Sequence, residues 1–294
     1  MKILLTGASG FLGSIIRLVL AEHDIMTVGR AAQSDIKIDI SASAVALPKA
    51  DLVVHAAGKA HIVPNTPEER KAFFDVNVNG TANLLKSLES NPPAAFIFIS
   101  SVSVYGKNSG ELITEDAELA ATDPYGVSKI EAEKLVVQWC TQYKVTYSIL
   151  RLPLIAGPNP PGNLKAMIKG IRGGYYFNVA GGQARKSIVL ANDVAKIIPM
   201  AASVGGIYNL TDGKHPSFAE LSTLIAGQLQ TSKPKNLPFL VARIMALGGD
   251  LLGTRAPINT NKLSKLVSTL TFSDSKARAA LQWAPHPVVE QFRI

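Results

Sequence analysis

The chain contains a single cysteine, Cys140, in 294 residues. One cysteine excludes an internal disulfide and any cysteine-cluster metal site, and no other pattern in the sequence implies a metal. Cys140 sits in an apolar stretch of helical spacing and reads as a buried thiol. No apolar run reaches the length of a membrane span. Charged residues are sparse, at 18% against 47% hydrophobic, a balance that suits a sizeable core and excludes a disordered polymer. Internal repeats and low-complexity tracts are absent. A secretory signal would need a cleavage site within the first residues and would sacrifice a strand. The N-terminus therefore reads as mature and the protein as cytoplasmic.

The net charge is +8, unevenly spread. From Leu229 to the C-terminus nine basic residues face three acidic ones, which places six of the eight charges there. These residues do not form a stripe interleaved with aromatics, and no nucleic-acid motif is present, so nucleic acid is not the expected partner. A small anionic substrate such as a pyrophosphate fits better, and part of the charge is a solvated face. Leu237–Leu252 is apolar with basic neighbours. A place on a membrane surface is one reading of it. Its thin polar face and the Gly248-Gly249 pair favour packing inside a lobe.

Short apolar runs alternate with helical periodicity. Strands are expected at Lys2–Thr6, Ile25–Gly29, Ile36–Ile38, Leu52–His55, Ala95–Ser100 and Val145–Leu150. Helices are expected from Phe11 to Glu22, from Glu68 to Glu89 and from Pro124 onward, the last opened by Asp123-Pro124. This alternation means βαβ units and a doubly wound parallel α/β sheet of Rossmann type. Residues 153–162 are rich in proline and glycine and mark a boundary. Ser187–Leu190, Asn192–Ala202 and Ile207–Leu210 read as a further β-α-β unit that rejoins the sheet. The dinucleotide-binding domain is thus expected over residues 1–160 plus about 186–210. A smaller C-terminal substrate lobe is expected over about 161–185 and 211–294.

The first strand runs into Gly7-Ala8-Ser9-Gly10-Phe11-Leu12-Gly13, a G-x-x-G-x-x-G pattern. Gly7 permits the tight turn, Gly10 lets the backbone approach a pyrophosphate, and Gly13 lets helix and strand pack closely. The N–H groups around Ser9, Phe11 and Leu12 then face the phosphates. The second strand ends in Val28-Gly29-Arg30, with no carboxylate for a ribose 2′-hydroxyl. Arg30 suits a 2′-phosphate, so within NAD(P)(H) the expectation prefers NADP(H). Stacking on the adenine, or exposure to solvent, are its other readings.

Tyr125 and Lys129 stand four apart near a helix start, on one face. A lysine ammonium there would lower the phenol pKa, so that Tyr125 exchanges a proton with a carbinol or carbonyl oxygen. With seven tyrosines in the chain the spacing alone is weak. Ser101 adds weight, because a serine at a strand's carboxyl end points into the crevice of an open α/β sheet.

Taken with the glycine turn, His55-Ala56-Ala57-Gly58, Asn77-Val78-Asn79-Gly80-Thr81, Ser100-Ser101-Val102-Ser103-Val104-Tyr105-Gly106 and Asp123-Pro124-Tyr125-Gly126-Val127-Ser128-Lys129 are decisive. In order and spacing the chain resembles the extended short-chain dehydrogenase/reductases of the nucleotide-sugar epimerase/dehydratase branch. Arg151…Gly157-Pro158, Asp193-Val194-Ala195, Tyr208-Asn209 and Trp283-Ala284-Pro285 extend the resemblance over essentially the whole chain. It implies that Ser101 hydrogen-bonds the reacting oxygen, that Tyr125 is the general acid/base and that Lys129 also holds the nicotinamide ribose. It places Asp39 and Ile40 near the adenine. Ala56, Ala57, Gly58 and Leu152 would lie beside the cofactor, with Asn77 supporting the site. A homodimer through the helices around Glu68–Glu89 and Pro124–Tyr143 is implied by analogy.

Departures from the branch narrow the reaction. Its dehydratases carry Asp-Glu after the active-site Ser/Thr; here Val102-Ser103 follow Ser101. Many of its epimerases carry Asn in R-x-x-N-x-x-G-P; here Leu154 holds that place. The reading put first is therefore reduction of a 4-keto nucleotide sugar. A 4-epimerase with tightly bound NAD is the alternative, and a non-enzymatic redox sensor or scaffold the second. For the sugar and diphosphate, Lys59, His61, Asn163, Arg185 and Lys186 are the candidates.

Overall fold

Runs of Ile, Leu, Val and Phe too short for helices, each closed by glycine, proline or polar residues, set up the strands. The computed structural model describes residues 1–60, 63–251 and 258–294. The N-terminal half contains β1 (Lys2–Thr6), α1 (Phe11–Val19), β2 (Asp24–Gly29), β3 (Ile36–Lys37), β4 (Leu52–His55) and α2 (Pro67–Phe74). A π-helical turn over Asp75–Asn79 leads into α3 (Gly80–Ser87). Then come β5 (Ala95–Ser101), a 3-10 turn over Val102–Tyr105, β6 (Gly110–Ile113), α4 (Pro124–Tyr143) and β7 (Thr146–Leu152). The remainder is β8 (Leu154–Ala156), α5 (Gly162–Arg172), β9 (Phe177–Val179), β10 (Ile188–Leu190), α6 (Ala191–Val204), β11 (Gly206–Asn209) and α7 (Phe218–Gln228). It ends with β12 (Lys235–Leu237), α8 (Phe239–Asp250), α9 (Thr260–Val267), β13 (Leu270–Phe272), α10 (Ser275–Leu281) and α11 (Val288–Gln291).

Seven parallel strands form the main sheet in the order β11-β7-β5-β4-β1-β2-β3. This is the doubly wound arrangement expected. The winding reverses between β1 and β4, and ligands bind at such a reversal, beyond the strands' carboxyl ends. Alternate side chains of each strand feed two cores. Ile3, Leu5, Val54 and Ile97 pack with α1, α6 and α10 on one face. Leu4, Val53, Phe96 and Phe98 pack with α3 and α4 on the other, where Cys140 is also buried.

Three expectations need correction. Residues 188–190 do not rejoin the main sheet: β10 pairs with β8 in a separate two-stranded sheet, and only β11 adds to β7. The stretch read as one helix over Glu68–Glu89 contains the π turn, an inserted residue that leaves the apolar spacing readable as continuous. Of the apolar stretch Leu237–Leu252, the described residues up to Leu251 are largely exposed and not packed inside a lobe, and Leu252 lies outside the described residues. Within α8 only Ala242, Ala246 and Gly249 are buried, against a small cluster with Val179 and Leu263. No described helix is long and apolar enough to cross a membrane.

Candidate active site

The glycine turn joins β1 to α1. Gly7 has φ +74°, a region that suits glycine, and a Cβ there would lie 2.5 Å from the Ala57 nitrogen. A Cβ on Gly13 would overlap the Gly7 carbonyl. Both are fixed by packing between β1, α1 and the loop after β4. Gly10 differs: within 4 Å its Cβ position meets only the Gly7 oxygen, at 3.2 Å. Among the described residues no side chain caps the N-terminus of α1. The first-turn N–H groups of Phe11, Leu12 and Gly13 are thus left for an anion, with exposed Ser9 at the rim. An open glycine beside an uncapped helix start is a cradle that fits a dinucleotide pyrophosphate. Leu12 contributes only its backbone, because its side chain is in the core.

At the far end of the crevice, Arg30 Nη1 lies 3.7 Å from Asp39 Oδ2 at the surface. Asp39 accepts from the Ser41 hydroxyl and N–H, and these bonds, with Arg30, hold its carboxyl below the usual range. Asn83 Nδ2 donates to the Ile40 carbonyl at 2.8 Å, which ties this loop to α3. The end of β2, which lacks a carboxylate, therefore receives one from the loop after β3. Sequence spacing did not show that contact.

The loop after β4 hangs on a buried polar chain that the sequence did not disclose. Ala57 N–H donates to Thr6 Oγ1 at 3.2 Å, and Thr6 Oγ1 meets His55 Nδ1 at 2.6 Å. His55 Nε2 meets Thr81 Oγ1 at 3.0 Å, and the Thr81 hydroxyl donates to the Asn77 carbonyl at 2.6 Å. Every group is satisfied if the protons run one way, from Ala57 to Asn77, with His55 neutral and protonated on Nε2. Burial, reinforced by Lys129, pulls the His55 pKa down to about 3. His55 is a spacer in the scaffold, not a proton carrier.

Asn77, carried inward by the π turn, closes the next link. Its Oδ1 accepts from Lys59 N at 2.7 Å, and its Nδ2 donates to Lys59 O at 3.1 Å and to Ser128 Oγ at 2.9 Å. Ser128 in turn donates to the Tyr125 carbonyl at 2.7 Å. The backbone of Lys59 is thereby fixed, and its ammonium reaches over the Phe73 ring.

Asp123 caps α4, accepting from Gly126 N at 3.0 Å, and Pro124 starts the helix. Tyr125 and Lys129 follow on one face. Ser101, the last residue of β5, lies close enough to the Tyr125 phenol to lower its pKa. It also caps its own turn, accepting from Ser103 N at 3.2 Å and donating to Ser103 Oγ at 3.1 Å. Lys129 Nζ donates to the Ile99 carbonyl at 2.8 Å and lies 4.5 Å from the centre of the Phe98 ring. A Cβ on Gly58 would lie 3.4 Å from that ammonium. Burial draws Lys129 down to about 8, opposed by Glu133. Burial pushes the Tyr125 phenol up; the Ser101 hydroxyl opposes this and Asp123 adds to it. The expected depression of the phenol by Lys129 is therefore not found, because burial outweighs a cation turned toward Ile99 and Phe98.

A second buried network holds the strand ends together. Arg151 and Glu133 form an ion pair at 2.8 Å, both almost wholly buried. Glu133 also accepts from Ser100 Oγ, and Arg151 donates to the Tyr105 hydroxyl at 3.0 Å. Tyr105 passes on to Asn209 Oδ1 at 2.8 Å. β5, α4, β7 and β11 are thus tied just beneath the site.

Of the remaining candidates, Leu152 opposes Ser101 in the ladder, with its side chain in the core. Asn163 is exposed in the first turn of α5. Arg185 donates to the His215 carbonyl at 3.0 Å and pairs with Glu220 at 3.5 Å. Lys186 donates to the Ser268 carbonyl at 2.9 Å. Both cations thus have protein partners. His61 lies outside the described residues.

Residues 3–211 match the model of the NAD dependent epimerase/dehydratase family. The chain belongs to that family. It is 29% identical to the UDP-glucose 4-epimerase of Vibrio cholerae, over 99% of this chain and 92% of the relative. It is 27% identical to the N-acetyl-alpha-D-glucosaminyl-diphospho-ditrans,octacis-undecaprenol 4-epimerase of Escherichia coli O157:H7, over 97% of this chain and 91% of the relative. UDP-glucuronic acid 4-epimerase from Bacillus cereus, solved with NAD, shares the fold at TM-score 0.77 and 20% identity, over 99% and 96% of the two chains. Chains of this fold have been solved with NAD and with NADPH. This family member is an NAD(P)-dependent enzyme, as its resemblance implied.

Proposed function

We propose that the protein interconverts C4 epimers of a nucleotide diphosphate sugar in the cytoplasm, keeping its dinucleotide through the cycle. The carrying observation is the Ser101–Tyr125–Lys129 group at the sheet's carboxyl edge, in a chain alike from end to end to 4-epimerases. A dinucleotide held at the Gly7–Gly13 turn would supply the hydride acceptor and donor for the sugar carbon. Tyr125 takes the proton of the C4 hydroxyl and gives it back to the keto oxygen. Its raised pKa makes the protonated acid the resting form, and Lys129, one turn further along α4, is the cation we assign to ease the opposite transfer once substrate is bound. Ser101 holds the reacting oxygen by hydrogen bond. One relative's sugar rides on undecaprenyl diphosphate, so we take the diphosphate-linked sugar as the recognised unit. A homodimer through α2, α3 and α4 belongs to this reading, with light scattering as its check.

Reduction of a 4-keto sugar, the reading put first from sequence, is retained second on one observation. Leu154 packs against the apolar cluster of α5 and α7, so no polar group stands where many epimerases of the branch carry asparagine. The likeness to 4-epimerases outweighs it. Cofactor choice is assigned to Arg30: Arg30→Ala is expected to weaken NADPH more than NADH, and equal weakening would remove Arg30 from a 2′-phosphate.

The test uses enzyme as purified, with UDP-glucose or UDP-N-acetylglucosamine and no added cofactor, followed by proton NMR. Formation of the C4 epimer without net change in NAD(P)H supports the epimerase. No epimer, with NADPH consumed one-for-one by a 4-keto nucleotide sugar, replaces it with the reductase.

A further inference from the structure

Helix α8 carries two stripes. Ala242, Ala246 and Gly249, at i, i+4 and i+7, turn inward toward Leu263 and Val179. Leu240, Ile244, Leu247 and Leu251 repeat that spacing on the opposite side and are 68%, 64%, 58% and 91% exposed. Phe239, Val241 and Met245 widen the exposed face. A helix of a globular protein normally buries its large apolar side chains. Here the small ones are inside and the large ones outside, and a contiguous apolar face of this kind marks an interaction surface.

Charge identifies the partner. From Lys233 to Lys265 the described residues include five basic side chains (Lys233, Lys235, Arg243, Lys262 and Lys265) and one acidic, Asp250. Asp250 is engaged by the N–H and hydroxyl of Thr260. A second copy of this chain would bring like-charged rims together across a two-fold contact. Anionic lipid headgroups attract the same rim. Twelve residues make α8 about 18 Å long, too short to span a bilayer and suited to lie in its surface.

We propose that α8 is an interfacial helix that seats the protein on an anionic membrane surface. Leu240, Ile244, Leu247 and Leu251 enter the boundary between headgroups and acyl chains, and Lys233, Lys235 and Arg243 lie over the lipid phosphates. The inference is independent of the reaction assigned above.

The test is flotation of the full chain with mixed phosphatidylcholine–phosphatidylglycerol vesicles and with phosphatidylcholine vesicles alone. The expected result is recovery with the mixed vesicles, reduced by added salt, and little with the neutral ones. Leu240→Gln/Ile244→Gln/Leu247→Gln, all exposed positions, should lose flotation while melting temperature and dinucleotide binding stay as in the parent. Three results would each overturn the proposal. The parent fails to float with either vesicle; the triple variant floats as the parent does; or the triple variant halves the parent's mass in light scattering without any membrane binding, which makes the face a contact between copies.

Discussion

The side-chain amide of Asn77 donates to the Ser128 hydroxyl at 2.9 Å, joining the π-helical turn to the second turn of α4. Ser128 holds the Tyr125 carbonyl, and Asn77 also clamps the backbone of Lys59, so one residue positions both walls of the site. Asn77→Ala strands several buried partners and is expected to cost about 1–3 kcal/mol. Misplacement of Tyr125 should lower kcat by about tenfold to a hundredfold with little change in substrate affinity. Steady-state kinetics and thermal melts check this; an unchanged kcat would remove Asn77 from the positioning of Tyr125.

The glycine turn separates folding from binding. Gly10→Ala meets only the Gly7 oxygen and keeps φ −77°, so the melting temperature should stay near that of the parent while dinucleotide affinity falls. Gly13→Ala collides with backbone and should lower both. Equal melting losses in the two variants would contradict the view that Gly10 is kept for the ligand.

Glu133 and Arg151 form a buried pair whose separation leaves an uncompensated charge. Glu133→Gln should destabilise the protein by about 3–5 kcal/mol in urea denaturation. The double variant Glu133→Leu/Arg151→Met should lose less than the two single changes together, because no lone charge remains.

Two buried groups, each held below its ordinary pKa, set pH effects in separate ranges. His55 is held at about 3, far below its ordinary 6.5, so the unfolded chain takes up a proton that the folded one refuses. Stability should fall as pH drops from 6.5 towards 3, by up to about 1.4 kcal/mol per pH unit from this residue. His55→Gln should remove that part of the slope. Lys129 is held at about 8 against an ordinary 10.5. As pH rises through 8 the ammonium is lost and turnover should decline. Its contribution to stability rises over the same interval up to 10.5, because the unfolded chain still binds the proton. Activity that stays flat up to pH 10 would exclude a role for the Lys129 charge.

The parts of the site that were legible in sequence are those where one residue type answers a local demand. Gly7 and Gly13 are dictated by contacts within one strand–turn–helix unit, and Tyr125 and Lys129 by the helix repeat. Long-range contacts left no such trace. The Thr6–His55–Thr81 chain and the Arg30–Asp39 pair join residues that the sheet brings together. The π turn at Asn77 was hidden because one inserted residue leaves the apolar spacing intact. In α8 the repeat is plain, yet periodicity names the residues on a face without saying which face is buried. Residues 188–190 have the composition of a core strand, and only the fold shows that β8 is their partner.

The most direct test of the whole account is Tyr125→Phe, which removes one hydroxyl from a ring that packs beside Phe73. Turnover of the nucleotide sugar and dinucleotide affinity would be measured on the same preparation. The account predicts a loss of turnover of about a hundredfold to ten-thousandfold, with dinucleotide binding and melting temperature unchanged. Turnover equal to that of the parent would contradict it, because the proton at the reacting oxygen would then be moved by another group.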